Sequence, residues 1–256
     1  MTATAPAPVR RPSGRSPFPA LVGYALRTCL PPKRRLAMLL PCAAAILFGL
    51  IVRAMTGTTR SNFADLAAGG LFPLVLPVTA LIVGDAVLGA ERRRGTFAFT
   101  WMSPVPTWQI ALARWTGGTL ISAIGLAVSF ALSAIVAGDA ARAGDVAIAG
   151  AFGAAAYVAV FLAIGCIAQR AAVWSLAFVF LVERLLGAAL TGIAQLSPSW
   201  EARAAFVGLS HAPKHLHQVG VPEGGAALVR LVLLTIVAML LACWRLRHLK
   251  VAGAAD

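Results

Sequence analysis

Six stretches of this chain run for close to a helical membrane crossing with almost no charge inside them, and that block length restricts the fold more than any other feature. A helix needs about 20 apolar residues to cross a hydrocarbon layer of about 30 Å. The stretches run from Leu36 to about Met55, from about Gly70 to Leu88, from about Trp115 to Val136, from about Val146 to Ile167, from Ala172 to about Ala194 and from about Ala226 to Trp244. Pro41 marks a kink site in the first. A soluble core cannot absorb blocks of this length. Apolar residues make up 59% of the chain and charged residues only 12%, whereas a soluble domain carries roughly a quarter of its residues charged to cover its surface. The expected fold is an all-α membrane protein of about six transmembrane helices.

The net charge of +13 invites a nucleic-acid reading, but its placement argues against one. The basic residues sit between apolar blocks and in the N-terminal tail, as charges do when they set membrane orientation. With the N-terminus in the cytosol, the cytosolic segments hold fifteen of them: Arg10, Arg11, Arg15, Arg27, Lys33, Arg34, Arg35, Arg92, Arg93, Arg94, Arg114, Arg170, Arg245, Arg247 and Lys250. The external segments hold four, Arg60, Arg142, Arg203 and Lys214. This bias puts both termini in the cytosol. No nucleic-acid partner is expected, and the lipid membrane is the first partner.

Residues 1–17 read as a disordered basic tail rich in Pro, Ala and Arg, and not as a signal peptide, because the first apolar block begins only at Leu36. From Phe18 to Leu30, apolar residues recur at helical spacing (Phe18, Leu21, Val22, Ala25, Leu26, Cys29, Leu30) before Pro31 and Pro32 end the run. That segment is too short to span and is expected to lie in the cytosolic interface. Residues 18–250 form the six-span domain, and residues 251–256 a C-terminal tail. Cys29, Cys42, Cys166 and Cys243 form no CxxC pair and predict neither a disulfide framework nor a thiolate metal site.

No GxxxxG run precedes any of the three lysines, so there is no phosphate-cradling loop. GxSxG, HExxH and acidic DxD clusters are absent as well. The expectation is therefore no catalytic residue, no cofactor and no metal. The unusual stretch is GAERRRGTFAFTWMSPVPTWQIALARW, from Gly89 to Trp115. It is cytosolic by the charge rule yet strongly apolar. Gly95 breaks the helix leaving the second span, and Thr96 caps a new short helix carrying Phe97, Phe99, Trp101 and Met102. Ser103-Pro104-Val105-Pro106 stops that helix, and Thr107 caps the next. Aromatics displayed on the cytosolic side need a place to be buried. Two readings fit: a groove on a partner protein or an aromatic belt against lipid headgroups.

The run Glu91, Gly95-Thr96, the short apolar helix, Ser103-Pro104-Val105 and Arg114 before the next span resembles the type 2 permease family of ABC transporters. The six-span layout and cytosolic termini resemble that family along nearly the whole chain. One departure is Arg92, Arg93 and Arg94, which stand where relatives often carry further acids. The resemblance implies the membrane-spanning permease subunit of an ABC exporter in a bacterial inner or plasma membrane, working as a dimer with an identical or related permease subunit. ATP would be hydrolysed on a separate ATP-binding ABC ATPase subunit, so this chain itself is not an enzyme. The loop would be a coupling helix docking on that ATPase through Glu91, Gly95, Thr96, Phe97, Phe99, Trp101, Met102, Pro104 and Val105. The alternatives are a secondary transporter or channel, an intramembrane enzyme, and a membrane anchor in a larger complex.

Glu183 and Arg184 lie within the fifth block. A charge inside a membrane is costly and marks a functional position by default. They are candidates for a transport pathway or a subunit interface, with a local ion pair as the alternative. Asp85 is expected to reach the cytosolic end of the second span. His211, His215 and His217 have spacing that could serve zinc, but no fourth ligand is obvious beyond Glu201 or Glu223, and they read as solvated. Ala149, Gly150, Gly153 and Ala154 make the fourth span suited to close helix packing within the subunit.

Overall fold

The computed structural model describes residues 17–29, 32–56, 61–89, 105–168, 170–186, 195–217 and 220–248. Among the described residues the fold is all-helical, with no strand. Eight helices follow one another: α1 (Phe18–Cys29), α2 (Pro32–Thr56), α3, α4 (Thr107–Val136), α5 (Ala143–Ile167), α6, α7 (Pro198–Leu209) and α8 (Gly225–Arg247). α3 is a continuous rod of α-helix Ser61–Leu66, π-helix Ala67–Val75, α-helix Leu76–Gly84 and π-helix Asp85–Gly89. α6 begins as the α-helix Ala171–Ala177 and widens into the π-helix Phe178–Leu186. Four segments are long and apolar enough to cross a membrane: Phe63–Val87, Thr107–Val136, Ala140–Ile167 and Gly225–Arg247. They mark the chain as a membrane protein. Leu39–Ala54 and Ala171–Glu183 are apolar but shorter.

α5 is the axis of the bundle. Its Ala149, Gly150, Gly153, Ala154, Ala156, Tyr157, Val158 and Ala159 are all buried, and α3, α4, α7 and α8 pack around it. Lipid tails are as apolar as side chains, so helices in a bilayer associate through close packing, and small residues permit it. Gly153 shows the effect. A methyl group there would stand 2.9 Å from both Ala202 Cβ on α7 and Leu76 Cδ2 on α3. The small-residue face read from the sequence thus packs inside this one chain. Aromatic rings fill the larger gaps. Phe72 of α3 meets Phe130 of α4 edge-on at 5.6 Å between centroids and Phe206 of α7 at 5.4 Å.

α3 starts earlier than the expected Gly70. Phe63, Ala64, Ala67 and Ala68 are already helical and buried, because Phe63 packs edge-on against Phe206 at 6.5 Å. Gly69-Gly70 reads as a break in a bare sequence. In the fold Gly70 is the spot where the Phe48 ring of α2 rests, its Cζ only 2.3 Å from where a Cβ would lie. The π geometry around Pro73 has a local cause. Proline removes one N–H and crowds the preceding turn, and a widened turn absorbs both effects.

The start of α4 also differs from expectation. Pro106 holds the cap position in extended backbone (φ −62°, ψ 138°), and Thr107 is the first helical residue, with no side-chain cap. The ring of Pro106 presets φ, and the Pro106 carbonyl accepts from Gln109 N at 2.9 Å. At 30 residues, α4 is roughly 45 Å long by helical rise. That is longer than a hydrocarbon layer of about 30 Å is thick. α1 matches the expected Phe18–Leu30 closely and lies along α4 with Ala25 and Cys29 buried.

Gly49 tests the close-packing account. A Cβ there would stand 2.4 Å from the Ser133 carbonyl oxygen of α4, whereas a Cβ at Gly23 of α1 meets nothing within 4 Å. Glycine to alanine favours an exposed helix by up to about 1 kcal/mol, while overpacking a tight contact costs about 1–3 kcal/mol. Gly49→Ala should lower the melting temperature of the detergent-solubilised protein, and Gly23→Ala should leave it unchanged or raise it. Equal melting of the two variants would refute the close approach of α2 and α4.

Candidate functional site

Two clusters of polar side chains that bond between helices gather around α7, the twelve-residue helix between the end of α6 and the start of α8. Its start is written in local sequence. Ser197 is the cap, its hydroxyl accepting from Trp200 N at 3.4 Å, and Pro198 occupies the first helical position, where a missing N–H costs nothing. The helix then runs between α3, α5 and α8. Ala202, Ala205, Phe206 and Val207 are all buried. At its far end Gly208 meets Gly224 backbone to backbone; a Cβ on Gly208 would lie 2.2 Å from Gly224 N. Gly224 has φ +61°, a left-handed turn that favours glycine. α7 and α8 are thereby joined as a tight antiparallel pair.

At the near end of α7 lies Glu183. It sits in the π-helical part of α6, and π turns recur at functional positions. Glu183 Oε2 accepts hydrogen bonds from Tyr157 Oη at 2.5 Å and from Ser199 Oγ at 3.2 Å. Ser199 Oγ is 2.9 Å from Ser197 Oγ. Tyr157 is fully buried at the centre of α5 and stacks at 5.3 Å on Phe161. One carboxyl group therefore links three elements that are distant in sequence: α5, α6 and the cap of α7. A buried carboxylate is costly without such donors. Of the pair singled out in the sequence, Glu183 is where this network centres. The side chain of Arg184 lies outside the described residues.

A second polar group lies on the opposite side of α7. Glu201, only 1% exposed, accepts from Arg230 Nη1 of α8 at 3.3 Å, and the same nitrogen donates to Gln195 Oε1 at 3.3 Å. The sequence points to Glu201 only as a possible partner of the histidines, and to Arg230 only as a charge at the edge of a span; the structure pairs the two with each other instead. The Ser-Pro helix start followed by an acid was the available signal.

The histidines split apart. His215 Nε2 is 2.5 Å from Asp65 Oδ1 of α3. His217 pairs with Glu223 through Nδ1 and lies 3.0 Å from the Ala212 carbonyl through Nε2. All three histidines are exposed to solvent, and His215 and His217 in addition face acidic neighbours. Among the described residues, no three His, Cys, Asp or Glu side chains converge for a metal. Arg114, counted above as a cytosolic surface charge, is instead buried on α4 and donates from Nη1 to the Val87 carbonyl. A cation at those last carbonyls of α3 also complements the helix dipole. Trp115 Nε1 donates to the Ala155 carbonyl of α5 at 3.1 Å. Asp85 begins the last π segment of α3 and is half-buried.

The expected coupling segment, with Glu91, Gly95, Thr96, Phe97, Phe99, Trp101, Met102 and Pro104, lies outside the described residues, as do the N-terminal tail and residues 249–256. Val105 is half-buried just before α4. The chain matches no protein-family model, and no curated protein is significantly similar to it.

Two outcomes follow from these contacts. Tyr157→Phe removes the buried donor to Glu183 while keeping the ring, and losing such a bond costs on the order of 1–3 kcal/mol. The variant should insert normally yet melt lower. A change in Glu183→Gln, which still accepts from Tyr157, should be smaller. A Tyr157→Phe protein as stable as wild type would show that the network carries no stability. The second outcome concerns pH. The Ala212 carbonyl and then Glu223 hold His217 above its ordinary value of 6.5, because both favour the protonated ring. A raised folded pKa means that this contribution is complete below pH 6.5 and fades as pH rises through the higher folded value. Wild type should therefore melt at a lower temperature as pH climbs above 6.5, and His217→Gln should show a flatter profile over that range. Parallel profiles would remove His217 from the account.

Proposed function

We propose that this chain is the membrane-spanning permease subunit of an ABC exporter, driving an export step with ATP hydrolysed on a separate ATPase subunit. The observation that carries the reading is the sequence motif between α3 and α4: Glu91, Gly95-Thr96, the aromatic run with Phe97, Phe99, Trp101 and Met102, then Ser103-Pro104-Val105. Its surroundings support it. Arg114 on the Val87 carbonyl ties the start of α4 to the end of α3, so both ends of the 90–104 segment are anchored close together. α4 is long enough to project past a membrane.

In this reading the two shorter apolar helices, Leu39–Ala54 and Ala171–Glu183, complete six spans, and both termini face the cytosol of a bacterial inner membrane. α6 presents Trp174, Phe180, Leu181 and Leu185 outward, a face suited to lipid or a second permease subunit. Transport proceeds by alternating access at that subunit interface. Glu183, bonded to both α5 and α7, would register a displacement of α6 as the interface opens. Hydrolysis is the partner's task, since no phosphate-cradling loop occurs in this sequence.

The decisive residue is Trp101. Burying an aromatic hot spot in an interface contributes about 2–4 kcal/mol. Trp101→Ala should therefore cut recovery of a co-expressed ABC ATPase partner at least roughly tenfold on co-purification, while membrane insertion is retained. Equal recovery with equal transport-coupled ATP turnover would overturn the proposal in favour of a lipid-belt role for the loop.

A further inference from the structure

A groove of about 420 Å³ opens on the outside of the bundle between the start of α7 and α8. Its volume lies in the range of small-molecule sites. One end is polar, lined by Gln195, Glu201 and Arg230; the remainder is lined by aliphatic side chains including Leu233, Leu234 and Val237. Two observations point to an occupant. The Glu201 side chain is 1% exposed, and its Oε2 is buried without a hydrogen-bond partner, although Oε1 is held by Arg230. A buried carboxylate oxygen left unpaired is costly. Arg230 meanwhile is 39% exposed and lines the groove, and among the described residues its contacts to Glu201 and Gln195 both run through Nη1.

Charge and depth narrow the class of ligand. A simple anion on Arg230 would meet the Glu201 carboxylate, and a simple cation at Glu201 would meet the guanidinium. A zwitterion satisfies both: its anion takes the Arg230 guanidinium and its N–H donor takes Glu201 Oε2. Arg230 is the sixth residue of α8, about 8 Å below the helix start by rise per residue, and Val237 lies about 10 Å deeper. The polar end thus sits near the headgroup boundary of a bilayer and the aliphatic end in its acyl region. We propose that this groove holds one aminophospholipid of the leaflet at the N-terminal end of α8, with its phosphate on Arg230, its ammonium at Glu201 and an acyl chain along Leu233, Leu234 and Val237. The lipid would complete the seam between α7 and α8. The site is independent of the coupling loop and of any ATPase.

The test uses the purified full chain, incubated with vesicles of equal parts phosphatidylethanolamine, phosphatidylcholine and phosphatidylglycerol, re-extracted in detergent and read by native mass spectrometry. Methylation removes the N–H donors of the choline headgroup, and the glycerol headgroup lacks the cation. Wild type should retain phosphatidylethanolamine about tenfold over phosphatidylcholine, the factor expected for one charge-assisted hydrogen bond. Glu201→Gln keeps an acceptor for Arg230 but loses the carboxylate, and should erase that preference. Val237→Trp leaves the ion pair intact and fills the acyl end, and should lower retention of every lipid. The proposal is overturned by equal retention of the ethanolamine and choline lipids, by preference for phosphatidylglycerol, or by retention unchanged in both variants. Melting curves guard the comparison: if Glu201→Gln fails to fold, Val237→Trp decides alone.

Discussion

A hydrocarbon solvent offers no hydrogen-bond partner, and the rest of this structure follows from that constraint. Backbone groups inside the long apolar segments must pair within their own helix, which is why the described chain contains helices and no strand. Side-chain hydroxyls face the same demand and meet it locally. Thr79 Oγ1 donates to the Val75 carbonyl at 2.8 Å, Ser122 Oγ to Gly118 at 2.9 Å, Ser129 Oγ to Gly125 at 2.6 Å and Thr235 Oγ1 to Leu231 at 2.8 Å. Each returns its proton to the turn below, so the spans carry hydroxyls at little cost. Carboxyl groups cannot be satisfied this way. Glu183 and Glu201 need donors from other helices, and those donors hold α7 in place.

The association of the helices has a different physical basis. With no net gain from moving apolar surface out of lipid into protein, contact density decides. Small residues on α5 bring neighbouring backbones close, and the aromatic cluster of Phe63, Phe72, Phe130 and Phe206 closes the space that remains. Interiors of this density do not deform smoothly. A force applied at the joint between α3 and α4, where Arg114 grips Val87, is therefore passed along whole helices.

The apolar blocks were readable because a membrane crossing has a fixed length. The ends of the fourth and sixth blocks fall within a few residues of α5 and α8. Where packing rather than length decides, the sequence was less informative. Asp65, Gly69 and Gly70 look like loop residues, yet the buried faces of Phe63 and Ala67 extend α3 through them. The polar sites were half legible. Glu183 stood out as a charge inside an apolar run, but its partners come from 26 residues before and 16 residues after it, separations that no local pattern encodes. Arg114 and Arg230 look like ordinary basic residues at span edges, since a count of positive charges is blind to which of them bond across helices.

The two polar clusters share one mechanical element. Ser199, which donates to Glu183, and Glu201, which accepts from Arg230, are two residues apart on α7. At twelve residues, α7 is a rod of roughly 18 Å, pinned at its far end where Gly208 meets Gly224. It cannot slide past that contact without separating two backbones in touch. A tilt that lengthens Ser199 to Glu183 also alters Glu201 to Arg230, because both bonds lie at the opposite end. Whatever moves α6 therefore bears on the seam with α8, and whatever fills that seam resists the motion of α6. Coupling of this kind needs no chain of intermediates: one short helix carries two polar bonds on different sides.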